Sequence, residues 1–214
     1  GCVRNSVGWG DGIYKSTDAG RTWTRLGLRD GQQIPQIVVH PADPNRLWVA
    51  VLGHPYGANE ERGIFRSTDG GRTFAKVLYK DPDTGAADLV IDPHNPDILY
   101  AALWEARQGP WENADFRGPG SGVHKSTDGG TTWREITTGL PTFEADRLGR
   151  IGLAVAPSDP RRLFATVEAN TKGGLYRSDD AGESWVLVNG DPRVTNRASD
   201  FAEVKVHPTN PDVV

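Results

Sequence analysis

A single cysteine, Cys2, stands in the 214 residues, so no disulfide can form within the chain. It follows Gly1 with no apolar leader before it, which does not read as a lipidation site, and it has no visible partners for nucleophilic chemistry. Long apolar runs are missing too: no stretch approaches the ~18 residues of a membrane span, so no span is expected. No secretory leader is visible. Basic charge is not in excess; the formal net charge is −4, which argues against nonspecific nucleic-acid binding. There is no phosphate loop and no dinucleotide fingerprint. His54, His94 and His124 lie far apart without metal-ligand spacing, so neither a cofactor nor a metal is expected. What is plentiful is Gly, at 26, and Pro, at 15, as suits many short strands joined by turns.

One phrase is written four times. It reads Ser16-Asp18-Gly20-Thr22-Trp23, Ser67-Asp69-Gly71-Thr73-Phe74, Ser126-Asp128-Gly130-Thr132-Trp133 and Ser178-Asp180-Gly182-Ser184-Trp185, with spacings of 51, 59 and 52 residues. Repeats of this size mark arrays of one supersecondary unit. A second phrase alternates with it: a Pro/Asp/Asn cluster opening at His40, Asp92, Ala156 and His207, each between short apolar runs. Proline removes a ladder donor and Asp and Asn favour turns, so each cluster reads as strand, turn, strand. His40 and His207 hold equivalent turn positions, where Asp92 stands in another copy, which favours a structural role for both histidines.

The runs 37–39 and 47–52, 88–91 and 98–103, and 151–156 and 163–168 are expected as strands one and two of successive units. Strands three and four flank the Asp phrases, at 12–16 and 22–26, 63–67 and 73–79, 122–126 and 132–137, and 174–178 and 184–188. Four antiparallel strands repeated at about 50 residues read as a β-propeller blade. The chain is therefore expected to be all-β. Residues 1–28 supply the last two strands of a blade, 29–80, 81–138 and 139–189 three whole blades, and 190–214 the start of the next. Those strands total four blades, so residues 201–214 can complete the first blade and close a small ring. The alternative, favoured because the fourth copy breaks off at Val214, is a segment of a larger propeller whose remaining blades come from a longer chain or another subunit.

Within the Asp phrase each residue type has a mechanical reason. Asp18, Asp69, Asp128 and Asp180 accept hydrogen bonds from turn amides. Gly20, Gly71, Gly130 and Gly182 adopt positive φ without strain. Trp23, Phe74, Trp133 and Trp185 are expected to insert between neighbouring blades. The carboxylates are too few, and their spacing wrong, for an EF-hand calcium loop. A fourfold repeated Asp is architectural, not catalytic.

These phrases resemble Asp-box, or BNR, repeats. The whole chain, with Gly10-Asp11-Gly12-Ile13-Tyr14-Lys15-Ser16-Thr17-Asp18 and Gly118-Pro119-Gly120-Ser121-Gly122, is similar to bacterial BNR-repeat proteins of the sortilin-like propeller superfamily, related to xyloglucan-cleaving glycoside hydrolases. The resemblance implies a propeller and favours an extracellular or periplasmic location. It does not choose between enzyme and binding module, because Asp-box propellers include hydrolases, receptors and assembly factors. No counterpart of the xyloglucanase catalytic aspartates, nor of the sialidase arginine and Tyr/Glu arrangement, stands out.

Ligand binding is expected on the face shared by the strand two–three loops and the interblade loops. Its largest insertion carries Trp104, Glu105, Arg107, Trp111, Glu112, Asp115, Phe116 and Arg117. In one reading Trp104, Trp111 and Phe116 stack on a glycan while polar neighbours bind hydroxyls; in the other the aromatics anchor a long loop. The preceding loop adds His54, Tyr56, Asn59, Glu60, Glu61 and Arg62; later ones add Phe143, Glu144, Asp146, Arg147, Arg150, Arg193, Arg197 and Asp200. Glycoside hydrolysis needs two carboxylates at a set separation, for which Glu105, Glu112, Asp115, Glu144 and Asp146 are candidates without an assigned pair. The leading expectation is a scaffold that binds carbohydrate or protein on this face. A glycoside hydrolase, or part of one, acting on a polysaccharide is the alternative.

Overall fold

Short β-rich runs between turn clusters give short antiparallel strands. The computed structural model describes residues 9–106, 116–195 and 203–214. A first sheet has two strands, β1 (Ile13–Lys15) and β2 (Thr24–Gly27). Three four-stranded sheets follow. The first is β3 (Gln36–Val39), β4 (Leu47–Val51), β5 (Gly63–Ser67) and β6 (Ala75–Leu78). Next come β7 (Thr84–Ile91), β8 (Leu99–Glu105), β9 (Gly122–Ser126) and β10 (Arg134–Glu135). The last comprises β11 (Ile151–Ala156), β12 (Asp159–Val167), β13 (Gly174–Ser178) and β14 (Val186–Asn189). Each is a meander in which every strand pairs antiparallel with the next. These are propeller blades. β12 starts earlier than expected because Ala156 pairs with Asp159, leaving only Pro157 and Ser158 to turn the hairpin.

The core lies in slices between successive sheets. Trp48, Ile64, Leu89 and Leu103 fill one slice; Tyr100, Ile136, Leu163 and Trp185 fill the next. Phe74 and Trp133 pack at the edges of their slices and Trp185 is buried, each against the sheet before its own. Trp23 does not insert: it is 61% exposed and its indole N–H turns back to the Gly20 carbonyl. Unlike Phe74, Trp133 and Trp185, it joins none of the apolar clusters of the described residues. Residues 203–206 lay Val204 and Val206 on Ala154, Phe164 and Leu175 of the third blade. Among the described residues β1 pairs only with β2, so closure of the first sheet by residues 203–214 is not seen.

Every Asp phrase closes the same way. The serine Oγ accepts the glycine amide, at 2.7 Å for Gly20 and 2.9 Å for Gly71 and Gly130, and donates to the aspartate. The aspartate accepts both the amide and the hydroxyl of the residue four further on, as Asp69 does from Thr73 at 3.0 and 2.7 Å. Bonds to the ionised form hold the carboxyl down: Asp18 falls to about 2, chiefly through the Thr22 amide, and Asp180 to about 2, chiefly through the Ser184 hydroxyl. Two consecutive residues take positive φ in each turn, so Ala19 (59°) and Ala181 (60°) adopt a conformation that suits glycine.

The second of those turns' uses is to join blades. The residue before the box glycine sends its amide to its own blade's Pro/Asn turn: Gly70 to Asn45, Gly129 to Asp97, Ala181 to Arg161. Its carbonyl accepts from a basic side chain of the preceding sheet: Lys15 to Gly70 (3.1 Å), Arg66 to Gly129 (3.1 Å), Lys125 to Ala181 (2.8 Å). Each donor sits immediately before its own box serine. Trp48 and Tyr100 reach the carbonyls of Gly129 and Ala181 as well. The Pro/Asn turns are linked in step, Arg46 to Asp97 and Arg162 to Asp212. Residues 207–213 close the fourth such turn, His207 amide to Val213 carbonyl. The exchange of His for Asp at its first position has a simple cause: His40 Nδ1 and Asp92 Oδ1 each accept two turn amides.

Two outcomes follow from this packing. Lys125→Met, which removes a buried cross-blade donor, lowers unfolding free energy in urea by about 1.5–3 kcal/mol. Arg177→Met stays within about 0.5 kcal/mol, because among the described residues Arg177 pairs only with Asp179, on the surface. His124 occupies the position of Phe65, and burial, with the Lys80 charge adding, pushes its pKa down to about 4. The unfolded chain then binds the extra proton as pH falls from about 6.5 to 4, and stability is lost across that window, by up to about 3 kcal/mol. His124→Phe flattens the pH dependence of urea midpoints between those limits; an unchanged profile contradicts the assignment.

Candidate functional site

The β4–β5, β8–β9 and β12–β13 loops share a face with the interblade loops. In the first, Arg62 is wholly buried and its guanidinium donates to the carbonyls of Leu52 (2.6 Å), His54 (2.8 Å) and Gly57 (2.8 Å). Burial lowers its pKa, though Asp83 and Asp81 oppose this. Sequence reasoning placed Arg62 among the polar groups of this loop; it is instead the clip that shapes it. Asn59 is buried and joins that frame, accepting the His54 amide.

The insertion after β8 is anchored by its own aromatics. Trp104 has no exposed surface; its ring stacks on Phe116 at 6.1 Å, its indole donates to the Phe116 carbonyl at 2.7 Å, and Arg150 lies 5.5 Å from its centroid. Trp104 is therefore not an open stacking platform: it is buried, with Phe116 against its ring. Glu105 accepts the Gly120 amide at 2.7 Å. A Cβ at Gly118 would come within 2.3 Å of the Glu105 carboxyl carbon, which explains a glycine there. Arg117 crosses to the third blade, pairing with Glu168 at 3.2 Å and with Asn170. Arg107, Trp111, Glu112 and Asp115 lie outside the described residues.

The other candidate carboxylates separate. Asp146 closes the short helix α1 (Phe143–Asp146) and accepts from the Thr171 amide and hydroxyl and the Lys172 amide. Burial alone would raise its pKa, but those bonds outweigh it and the net shift is downward. Glu144 is exposed on the same turn. Of the later arginines, Arg193 pairs with Asp191 beside it, Arg147 lies over Phe143, and Arg197 and Asp200 fall outside the described residues.

One polar group that sequence reasoning did not single out lines the shared centre of the blades. Gln36, Asp88, Gly152 and Glu203 hold equivalent places on the innermost segments, around a cavity of about 140 Å³ that Arg150 and Lys205 also line. Asp88 follows a bulge in β7, and its carboxylate spans the gap to the Leu153 amide of β11 at 2.8 Å. Burial raises its pKa even so, against the pull of the Leu153 and Leu89 amides. The signal available in sequence was a lone carboxylate in an otherwise apolar inner strand.

No helix among the described residues is long and apolar enough to cross a membrane. The family model described as "Sortilin, neurotensin receptor 3" matches residues 11–147. A xyloglucanase of Paenibacillus sp is 27% identical over 89% of this chain and 20% of its own length. A xyloglucanase of Hypocrea jecorina is 26% identical over 89% of this chain and 24% of its own. The chain thus spans about a fifth to a quarter of these relatives. Among solved structures, an ancestral GH74 enzyme superposes with TM-score 0.64 at 21% identity, over 86% of this chain and 22% of that one. The GH74 xyloglucanase of Xanthomonas campestris gives 0.62 at 24%, over 87% and 29%. Those superpositions bear out the propeller blades, and, with the family model spanning more than half of its length, the chain belongs to the Sortilin-Vps10 family.

Proposed function

We propose that the chain is a polysaccharide-binding part of a glycoside-hydrolase-type propeller, holding a glucan of the xyloglucan class on its loop-rich face. The observation that carries this reading is the alignment of most of the chain with xyloglucanases. The geometry supports binding as the task of the described groups. Glu105 is engaged by a backbone amide, Asp146 by a loop, and Glu168 by Arg117, so these carboxylates are structural acceptors, not a free acid/base pair. Trp104, Phe116 and Arg117 are fixed by their own contacts at the ends of the insertion, and Trp111 is assigned the stacking role.

Isothermal titration with xyloglucan oligosaccharides tests this. Trp111→Ala weakens binding at least tenfold, about 1.4 kcal/mol, with the melting temperature unchanged. Trp104→Ala instead costs stability, about 3–5 kcal/mol, because it empties a filled core site. Product release from xyloglucan that disappears in Glu105→Gln contradicts the binding-only role of that residue. Absence of any binding contradicts the proposal.

A further inference from the structure

A second cavity, of about 410 Å³, opens on the loop-rich face between the first sheet and the first full blade, away from the insertion. It falls in the range of small-molecule sites, about 300–1,000 Å³. Trp9, 67% exposed, lines this opening together with Gly10, Asp11, Arg29, Asp30 and Gln32. The backbone beside Trp9 is held: the Gly10 amide bonds to the Gln32 carbonyl at 3.1 Å, an approach so close that a Cβ on Gly10 would stand 2.4 Å from that oxygen.

Opposite the indole lies the turn Arg29–Gly31 with Gln32. The Asp30 carboxylate is held by His54 Nε2 at 2.8 Å, and the Asn59 amide donates to the Asp30 carbonyl at 2.8 Å. These contacts fix its direction while leaving the side chain 59% exposed. No polar partner is seen for the Arg29 guanidinium or the Gln32 side-chain amide among the described residues. The cavity thus sets one exposed aromatic ring beside a fixed acceptor, Asp30, a second carboxylate, Asp11, a guanidinium donor fork and an amide that both donates and accepts. A neutral polyhydroxylated ring needs that mixture: an apolar face for stacking, and both donors and acceptors for hydroxyls. An anion would meet like charge on Asp11 and Asp30, and a cation like charge on Arg29.

We infer that this cavity is an oligosaccharide-binding site in which a pyranose ring stacks on Trp9 and its hydroxyls bond to Asp30, Arg29 and Gln32. His54 is a positioning residue that holds Asp30. The ligand class rests on the carbohydrate reading of the face; the place and the residues do not.

The test is ¹H–¹⁵N correlation spectroscopy of the chain, with the Trp9 indole signal assigned by Trp9→Phe. Cellotetraose and xyloglucan oligosaccharides are titrated separately. The Trp9 signal moves saturably with at least one of them, and Asp30→Asn weakens the fitted affinity at least fivefold. His54→Ala weakens it too, and His54→Gln, which restores a donor to Asp30, recovers part of the loss. Both Trp9 and Asp30 are exposed, so well-dispersed spectra of the variants show that folding is kept. A Trp9 signal that stays still while other resonances move places the sugar elsewhere: this inference fails and the carbohydrate reading stands. If no resonance moves with either sugar, both fail. A Trp9 shift with affinity indifferent to Asp30→Asn also overturns the site.

Discussion

The structure depends on one carbonyl per blade. In each box turn the backbone is driven through two successive left-handed residues, which aims the carbonyl of the first at the sheet before it. There a lysine or arginine meets it, at 2.8 Å where Lys125 reaches Ala181. A buried carbonyl without a donor is expensive, and so is a buried cation without an acceptor. Each therefore satisfies the other only when the sheets are in register. The serine, aspartate and threonine of the phrase keep the turn in the shape that presents the carbonyl. Hydrophobic slices such as the one around Tyr100 and Trp185 supply most of the attraction between blades, but they are not directional. The polar relay sets the angle.

This division of labour frees the opposite end of the blades. The box turns and Pro/Asn turns interlock at one end, where Arg46 and Asp97 join neighbouring blades. Loops at the other end bear little of the array's geometry and vary in length and content. They still need their own order, since backbone groups in a loop require partners. Arg62 provides it for one loop by collecting carbonyls, and Trp104 with Phe116 provides it for another. Beside the exposed Trp9, Asp30 is held in a fixed direction by His54 and Asn59, which is what binding a weakly interacting ligand such as a sugar demands.

Much of the architecture was legible because it repeats. Four copies of one turn phrase, alternating with four Pro/Asp/Asn clusters, leave little freedom in how the strands connect, and a resemblance to Asp-box proteins pointed to the same fold. Even the interchange of His40 and Asp92 was readable as structural. What repetition could not show was the third dimension of single residues. Trp23 carries the same motif position as Trp185, yet one is open and the other buried, because among the described residues only the second packs against a preceding sheet. Trp104 looked like a platform by composition and is a root by position. Arg62 and Asp88 carry no motif at all; Arg62 takes its role from the carbonyls of its own loop, and Asp88 from an amide on a distant strand. The cross-blade donors Lys15, Arg66 and Lys125 do stand in register before each box serine, a signal present in the sequence that gains meaning only once the neighbouring carbonyl is located.

The relay is tested most directly by native-state hydrogen exchange at the residue before each box glycine. The amides of Gly129 and Ala181 bond to the Pro/Asn turns of blades whose neighbours clamp the same turns from the other side. They are predicted to exchange only through openings close in free energy to global unfolding, whereas the matching amide of Ala19, in the two-stranded sheet, exchanges through local fraying. Comparable, fast exchange at all three positions would contradict the claim that these turns lock the blades together.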